Sequence, residues 1–340
     1  RTGTGGATND GRKSFGHGES PSLLTMLDLD AIRRAHDRIR PYIHRTPVLT
    51  SDRLDTASGA SLFFKCENFQ KVGAFKARGA TNAVFSLDDE TAQRGVATHS
   101  SGNHAAALSR AAKLRGIAAH IVMPSNSSKV KVRAVEGYGG RIVFCEPNQR
   151  AREETCARVI AETGATMIHP FENENVMAGQ GTLAIELLED VPDLDLILCP
   201  VGGGGVLSGT AVAAKSLRPG IKVIATEPAG ADDAAQSFHE HRLVNQEQKN
   251  TIADGLRTDL GAPNFALIQR YVDDVVTVSD ESIIAAMRAI WETMKIVVEP
   301  SGAVPYGAVT EGKVDCRSKR VGIILTGGNV DLDSLPWMKF

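Results

Sequence analysis

The sequence has few cysteines, few aromatic residues and no excess of charge of either sign. Its 340 residues include 38 Lys and Arg against 40 Asp and Glu, so the formal net charge is -2. Proteins that coat nucleic acid need surplus basic residues to neutralise phosphates, and the balance argues against that class. The five cysteines form no CxxC pair. This argues against a disulfide framework or zinc ribbon and predicts a reducing, cytoplasmic compartment.

A long apolar run of the kind that crosses a membrane is also lacking. Residues 196–214 carry no charge and approach the length of a membrane span. They include Pro200 and five glycines, four of them consecutive, which predicts a buried strand, a glycine loop and a helix start. No signal peptide is visible, so we expect no membrane association.

The first 20 residues contain six glycines and almost no large apolar side chain. This composition predicts a disordered tail or a processing remnant over residues 1–20. Order is expected from about Pro21. A first helix is expected to reach about Arg40, with Asp28 or Asp30 as its cap.

Short apolar runs alternate with helical patterns along the rest of the chain. Nine runs suit buried parallel strands: 61–66, 95–98, 118–123, 141–145, 166–169, 194–199, 222–226, 275–278 and 321–325. Helical patterns separate most of them, such as 105–114, 151–162 and 179–189. The alternation predicts an α/β fold with parallel-rich sheets flanked by helices. At about 150 residues per domain, the length predicts two domains.

Unusual residues follow three of the predicted strands, where ligands bind in parallel sheets. The three loops are 98–104 (THSSGNH), 200–205 (PVGGGG) and 326–329 (TGGN). The second contains Gly202, Gly203, Gly204 and Gly205. Their backbone N–H groups and the dipole of the following helix predict a phosphate cradle, although not a dinucleotide fingerprint. A tight, closely packed turn is the alternative.

One lysine opens a helical pattern after a glycine turn, within the segment ENFQKVGAFKARGA of residues 67–80. The positive end of the helix dipole favours the neutral amine of Lys76, which is the form that makes a Schiff base. A lone lysine in this position is otherwise a solvated surface residue, and the motif alone does not decide.

Six motifs occur together in order: ENFQKVGAFKARGA, SSGNHAAAL, PVGGGG, EPAGADD, TIADGL and TGGNVDL. They resemble those of the fold type II pyridoxal-phosphate enzymes, specifically the serine racemase and serine/threonine dehydratase family, over about residues 27–332. The resemblance implies a two-domain fold similar to the tryptophan synthase β subunit. It implies a large cofactor-binding domain of residues 21–87 and 171–340, and a small mobile domain of residues 88–170.

The resemblance also implies the cofactor contacts. Lys76 matches the lysine that forms a Schiff base with pyridoxal 5'-phosphate, and the four glycines match the loop that holds the phosphate. Asn103 matches the asparagine at the ring hydroxyl, while Phe75 and Glu299 match residues beside the ring. Thr326 matches the residue that faces the pyridine nitrogen. A hydroxyl cannot keep that nitrogen protonated, which suits racemisation or prompt β-elimination better than transamination.

The loop that holds the substrate carboxylate in the family matches Ser100, Ser101, Gly102, Asn103 and His104. Ser101 matches the second base of the racemases, because inversion at Cα needs proton removal on one face and return on the other. Carboxylate binding alone is the alternative role for Ser101. Arg152 matches an arginine on the substrate side, but Arg150 is close enough to take its place in the alignment.

The segment EPAGADD implies a divalent-cation site. Its ligands would be the side chains of Glu227 and Asp233 and the carbonyl oxygen of Ala231, and its ion Mg²⁺ or Ca²⁺. From the residues alone, a capped turn with solvated acids is the alternative. ATP binding belongs to some relatives only and has no support in this sequence. The resemblance also implies a homodimer.

The sequence therefore predicts an enzyme that interconverts L- and D-serine and also dehydrates serine to pyruvate and ammonia. A dedicated dehydratase of serine, threonine or 3-hydroxyaspartate is the alternative within the class. A non-catalytic cofactor-binding protein is the alternative outside it. The chain ends at Phe340, soon after the last motif, which disfavours the allosteric biosynthetic threonine deaminases.

Overall fold

The computed structural model describes residues 27–100 and 102–338. The tail predicted over residues 1–20 and the second base predicted at Ser101 lie outside the described residues. Within the described ranges the chain forms two sheets, and helices pack against both.

The larger sheet has six strands among the described residues. They are β1 Val48–Leu49, β2 Ser61–Cys66, β7 Leu196–Pro200, β8 Lys222–Pro228, β9 Asp274–Val278 and β10 Arg320–Leu325. Their order across the sheet is β1-β2-β10-β7-β8-β9. The smaller sheet is built from β3 Val96–Thr98, β4 Ala119–Pro124, β5 Arg141–Cys145 and β6 Thr166–Met167. Its order is β5-β4-β3-β6, and all of its strands lie in one continuous part of the sequence.

The α-helices of the described ranges alternate with these strands. They are α1 Leu29–Ile39, α2 Asp52–Ser58, α3 Lys76–Phe85, α4 Asp89–Gln93, α5 Asn103–Arg115, α6 Lys129–Gly137, α7 Gln149–Thr163, α8 Glu174–Asp190, α9 Gly205–Leu217, α10 Asp233–Glu240, α11 Ala262–Tyr271, α12 Asp280–Met294 and α13 Pro300–Thr310. Short 3₁₀ turns occur at Glu67–Phe69, Lys71–Gly73, Asp254–Leu256 and Pro336–Met338.

The α/β fold predicted from the alternating patterns is confirmed. All nine predicted strands are present, and each bound lies within two residues of its prediction. Every strand pairing is parallel except that of β1 with β2. The sequence pattern missed β1 because two residues are too few to show a period. Asp28, rather than Asp30, caps α1, since its carboxylate accepts from the backbone N of Ala31 at 2.7 Å.

Two adjacent helices, α8 and α9, form the centre of the core. Nearly every residue of α8 from Val176 to Leu188 is buried, and α9 is buried from Gly205 to Ala214. Helices that are buried on all sides carry no polar face, and this explains why residues 196–214 are uncharged. That stretch forms β7, the glycine loop and the start of α9. No helix of the described chain has both the length and the apolarity to cross a membrane.

Candidate active site

The three unusual loops each follow the carboxyl end of a parallel strand. Residues 98–104 leave β3, the glycine loop leaves β7, and Thr326 comes directly after β10. Contacts join the last of these loops to the segment before Lys76: Phe75 donates its backbone N–H to the carbonyl of Thr326 at 3.0 Å, and Ala74 forms a bridge with Gly327. The segment that carries Lys76 is therefore fixed against the end of β10.

Lys76 is the first residue of α3, and its amine is withdrawn from solvent. Nζ donates to the carbonyl oxygen of Pro170 at 2.9 Å and lies 5.1 Å from the centroid of the Phe75 ring. Burial lowers the pKa of Lys76 from 10.5 to about 8. The sequence argument for a neutral amine used the helix dipole, and the structure adds desolvation in the same direction.

A buried ion network holds α3 in place two residues beyond this lysine. The Arg78 guanidinium donates to Glu67 Oε2 at 2.8 Å and to Glu186 Oε2 at 2.7 Å, and Lys65 Nζ also meets Glu186 Oε2 at 2.7 Å. Two cations face two carboxylates, so the charges balance. Burial alone would raise the pKa of Glu186, but Arg78 and Lys65 lower it to about 2. The sequence analysis missed this network.

The glycine loop is a tightly packed turn, and it also leads into a helix without a side-chain N-cap. Gly204 has a φ of 92°, a backbone angle that residues other than glycine rarely adopt. A Cβ atom on Gly203 would lie 2.3 Å from the Phe171 ring, so the loop and that ring approach closely. Phe171 follows Pro170, whose carbonyl binds Lys76, and the loop and the lysine therefore belong to one site.

Helices that begin at this site lack side-chain N-caps. Seven of the described helices begin at a capping side chain: Asp28, Ser51, Asp88, Ser128, Asn148, Asn173 and Ser279. The helices α3, α5 and α9 instead follow Phe75, Gly102 and Gly204, which cap nothing with their side chains, and α10, α11 and α13 also lack a side-chain cap. The N-termini of α5 and α9 can therefore present N–H groups and a positive dipole end to an anion, whereas in α3 the backbone N of Gly79 already donates to Gln180 Oε1 at 3.1 Å. The residues therefore fit a ligand that carries a phosphate and a carboxylate.

Asn103 is held at both ends of its amide. Its Nδ2 donates to Glu299 Oε1 at 3.0 Å, and its Oδ1 accepts from Asn329 Nδ2 at 2.8 Å. Glu299 also accepts from the backbone N of Asn329 at 3.1 Å. Burial and then Asp254 raise the pKa of Glu299 to about 7. The assignment of site residues missed Asn329, although it stands within the TGGN motif.

The substrate loop is seen on both sides of Ser101. The backbone N of Gly102 donates to Ser100 Oγ at 3.5 Å. His104 is buried, and its Nε2 pairs with the carbonyl of Ile168 at 3.1 Å. Burial lowers the pKa of His104 to about 3, so this imidazole stays neutral.

Two further histidines were missed as site residues: His169 lies near Lys76, and His99 packs against His169. The rings of His99 and His169 are 5.8 Å apart, and His169 lies 4.6 Å from Phe171. Burial first, then His99 and Lys76, lower the pKa of His169 to about 4. A neutral His169 adds no positive charge near Lys76, and burial is the cause that lowers the pKa of that lysine. The signal in the sequence was their position at the carboxyl ends of two predicted strands, since His99 follows the run 95–98 and His169 ends the run 166–169.

The two candidate arginines of α7 have different surroundings. Arg150 is exposed and its Nε meets Glu154 at 2.6 Å. Arg152 is half-buried, and its Nε is a buried donor without a partner in the described chain. Burial lowers the pKa of His99, and Arg152 adds to that lowering, which puts Arg152 on the side of the site.

The three residues implied as metal ligands meet where β8 leads into α10. Glu227 Oε1 and Oε2 accept from the backbone N of Ala234 and Ala235, at 3.0 and 2.8 Å. Asp233 Oδ2 accepts from Leu260 N at 2.8 Å, and its buried Oδ1 accepts no hydrogen bond from any described residue.

Burial and then Asp233 raise the pKa of Glu227 well above its usual range. Ala231 is buried beside these carboxylates. The described residues hold no cluster of three or more His, Cys, Asp or Glu side chains fit for a metal. The set is instead two carboxylates and a carbonyl oxygen. A buried carboxylate oxygen that accepts no hydrogen bond from the described residues, beside a second carboxylate, fits a hard divalent cation.

Comparison with known proteins gives the same picture. The family described as pyridoxal-phosphate dependent enzyme matches residues 39–327. Serine racemase of Arabidopsis thaliana is 53% identical, over 92% of this chain and 96% of its own. The beta-hydroxyaspartate dehydratase of Paracoccus denitrificans (strain Pd 1222) is 52% identical, over 89% and 96%. The structure of maize serine racemase matches with a TM-score of 0.90 at 50% identity, over 92% and 96% of the two chains.

Proposed function

This chain belongs to the family of pyridoxal-phosphate-dependent enzymes, and from that premise we propose that it racemises serine and also dehydrates it to pyruvate and ammonia. The observation that carries the proposal is the position of Lys76. Its desolvated amine lies at the start of α3 and donates to the carbonyl of Pro170, whose neighbour Phe171 packs against the glycine loop at the start of α9. The relatives named serine racemase, at 53% and 50% identity, support serine as substrate.

The residues fit pyridoxal phosphate in a definite way. The N–H groups at the start of α9 would hold its phosphate, and Lys76 would hold its aldehyde carbon. Phe75 would pack beside its ring, Thr326 would face its nitrogen, and Asn103, fixed by Glu299 and Asn329, would meet its hydroxyl. When bound, the cofactor supplies an electron sink for the negative charge left at Cα.

The chain's own groups would then move the protons. The N-terminus of α5, with Ser100 and Gly102, would orient the substrate carboxylate. The neutral amine of Lys76 would take the α-proton from one face, and its pKa near 8 suits that role near neutral pH. The hydroxyl of Ser101 would serve the opposite face. Loss of the β-hydroxyl instead of reprotonation would lead to pyruvate and ammonia.

The proposal includes motion and assembly. The region of residues 88–170 would move as a small domain over the substrate and exclude water. Glu227, Ala231 and Asp233 would bind Mg²⁺ or Ca²⁺ outside the reacting centre. The protein would act as a homodimer in the cytoplasm. The five free cysteines, all buried, support a reducing compartment.

A dedicated dehydratase is the second candidate. The Paracoccus denitrificans relative is named for beta-hydroxyaspartate, which carries a second carboxylate. Arg152 supports this candidate, because a guanidinium can pair with the second carboxylate. Its buried Nε has no partner among the described residues and lies on the side of His99.

One assay separates the two candidates. Purified protein is incubated with pyridoxal phosphate, Mg²⁺ and L-serine, and D-serine is followed by chiral chromatography alongside pyruvate. D-serine formed with pyruvate is the expected result. Pyruvate alone would overturn the racemase proposal in favour of a dehydratase, and turnover would then be measured with threonine and 3-hydroxyaspartate.

The role of Ser101 is tested with a matched neighbour. Ser101→Ala should lower racemisation by about 100-fold or more while L-serine dehydration falls far less, since only racemisation needs the second face. Ser100→Ala, which alters carboxylate binding, should reduce both products together. Equal losses of both products in Ser101→Ala would contradict the two-base role.

A further inference from the structure

Lys249 lies beside the proposed metal site and belongs to none of the six motifs. Its side chain is only 9% exposed although it stands in a polar loop. Its Nζ donates to the carbonyl of Gln246 at 2.8 Å and to Asp259 Oδ1 at 2.5 Å. The same nitrogen lies 3.5 Å from Asp233 Oδ1, the carboxylate oxygen that accepts no hydrogen bond within the described chain.

This position makes Lys249 the counter-charge of a buried acidic group. Asp233 and Glu227 are both fully buried, and the same ammonium also pairs with the exposed Asp259. A buried carboxylate without a compensating cation is strongly destabilising. Lys249 supplies positive charge at the oxygen that a divalent ion would bind, with 3.5 Å between its Nζ and that oxygen.

We propose that Lys249 is a resident cation that competes electrostatically with the divalent ion for Asp233. The ammonium stabilises the buried carboxylates when no metal is bound. It also repels a second cation that binds to the same carboxylate. The wild-type protein would therefore stay folded after metal removal and bind Mg²⁺ weakly. This inference rests on the metal site of the proposed function and adds a residue that sets its affinity.

The test uses the cofactor-loaded protein and thermal unfolding, which does not depend on turnover. After treatment with a chelator and its removal, Tm is measured across a MgCl₂ titration for wild type and Lys249→Met. In metal-free buffer the variant should have the lower Tm. Added Mg²⁺ should restore that Tm at concentrations about tenfold or more below those the wild type requires, because the repulsion is gone.

Two further variants provide controls. Lys249→Arg keeps the positive charge and should keep the weak Mg²⁺ response of the wild type. Lys215→Met breaks another lysine–aspartate pair, in which Nζ lies 2.7 Å from Asp273 Oδ2. This variant should have a lower Tm that Mg²⁺ does not restore. If Lys249→Met is too unstable to purify, Lys249→Gln takes its place in the same titration.

The outcomes distinguish the inference from the proposal beneath it. Equal Mg²⁺ affinity in wild type and Lys249→Met would overturn the role of Lys249 and leave the metal site standing. A Tm that Mg²⁺ changes in neither protein would remove the metal site itself. A tighter Mg²⁺ response in Lys249→Met, together with a wild-type response in Lys249→Arg, would establish competition by charge.

Discussion

Lys76 owes its reactivity to burial. Desolvation lowers the pKa of its amine to about 8, against 10.5 for a solvated lysine. The neutral fraction, which adds to a carbonyl, is therefore about one half near pH 8 instead of a small minority. At the scale of a single residue, the surroundings of one nitrogen determine when the site can bind its cofactor covalently.

We predict that covalent binding of pyridoxal phosphate to the cofactor-free protein speeds up about tenfold per pH unit below pH 8 and levels off above it. The rate is read from the visible absorption of the lysine–cofactor adduct between pH 6 and 10. Lys76→Ala is the control and should form no adduct. An increase that continues to pH 10 would mean that the amine is solvated.

Glu299 makes a second prediction at this scale. Its pKa of about 7 in the folded protein lies above the usual 4.5, so the folded state holds its proton more tightly. The contribution to stability is full below pH 4.5 and is lost as pH rises through about 7. Glu299→Gln has no titrating group at this position. As pH rises from 4.5 through about 7, the unfolding free energy of the wild type should therefore fall by about 2–3 kcal/mol relative to that of Glu299→Gln.

Urea unfolding of cofactor-free wild type and Glu299→Gln at pH 5 and pH 8 measures that difference. Asp315→Asn, which removes an acid that is 75% exposed and pairs with Lys319, corrects for nonspecific charge effects. A gap between wild type and Glu299→Gln that stays constant with pH would show that Glu299 is ionised throughout.

At the scale of elements, the ion network around Arg78 joins β2, α3 and α8. Arg78→Met leaves Glu67 and Glu186 buried with too little positive charge, and we expect a loss of about 3–5 kcal/mol in unfolding free energy. Arg45→Met is the matched control. Arg45 also pairs with α8, through Glu189 and Asp190, but its side chain is 48% exposed. Arg45→Met should therefore lower the unfolding free energy by about 1 kcal/mol or less.

Chemical denaturation of both variants measures these costs. Because α3 begins with Lys76, Arg78→Met should also weaken cofactor binding, whereas Arg45→Met should leave it unchanged. Similar losses of stability in the two variants would show that the network contributes no more than a surface pair.

The elements show what the sequence could and could not reveal. Short apolar runs located nine strands, because strands buried on both faces of a parallel sheet are continuously apolar. The glycine loop and Lys76 were found because each follows a strand or opens a helix. The network of Arg78 was missed because charged residues in a pattern are read as exposed, and only the packing of distant elements shows them buried. Lys249 was missed for the same reason.

At the scale of the whole molecule, the two sheets meet around Glu299. Asn103, at the start of α5, reaches Glu299 at 3.0 Å, and Lys131 Nζ of α6 reaches Asp254 Oδ2 at 2.7 Å. Both helices pack on the smaller sheet, whereas Glu299 and Asp254 belong to the larger sheet's side. Asp254 raises the pKa of Glu299 and Lys131 lowers it. The ionisation of one site carboxyl therefore depends on charges from both sides of the molecule.

Lys131→Met and Asp254→Asn should shift the stability window of Glu299 in opposite directions. Loss of the lysine should move it to higher pH and loss of the aspartate to lower pH, each by about a few tenths of a unit, because both side chains are partly exposed and screened. Urea unfolding across pH 5 to 8 measures the shifts. They should shrink in high salt and vanish in a Glu299→Gln background. If the smaller sheet stands away from the larger one in solution, Lys131→Met will leave the window unchanged while Asp254→Asn still lowers it, and this asymmetry would reveal an open molecule.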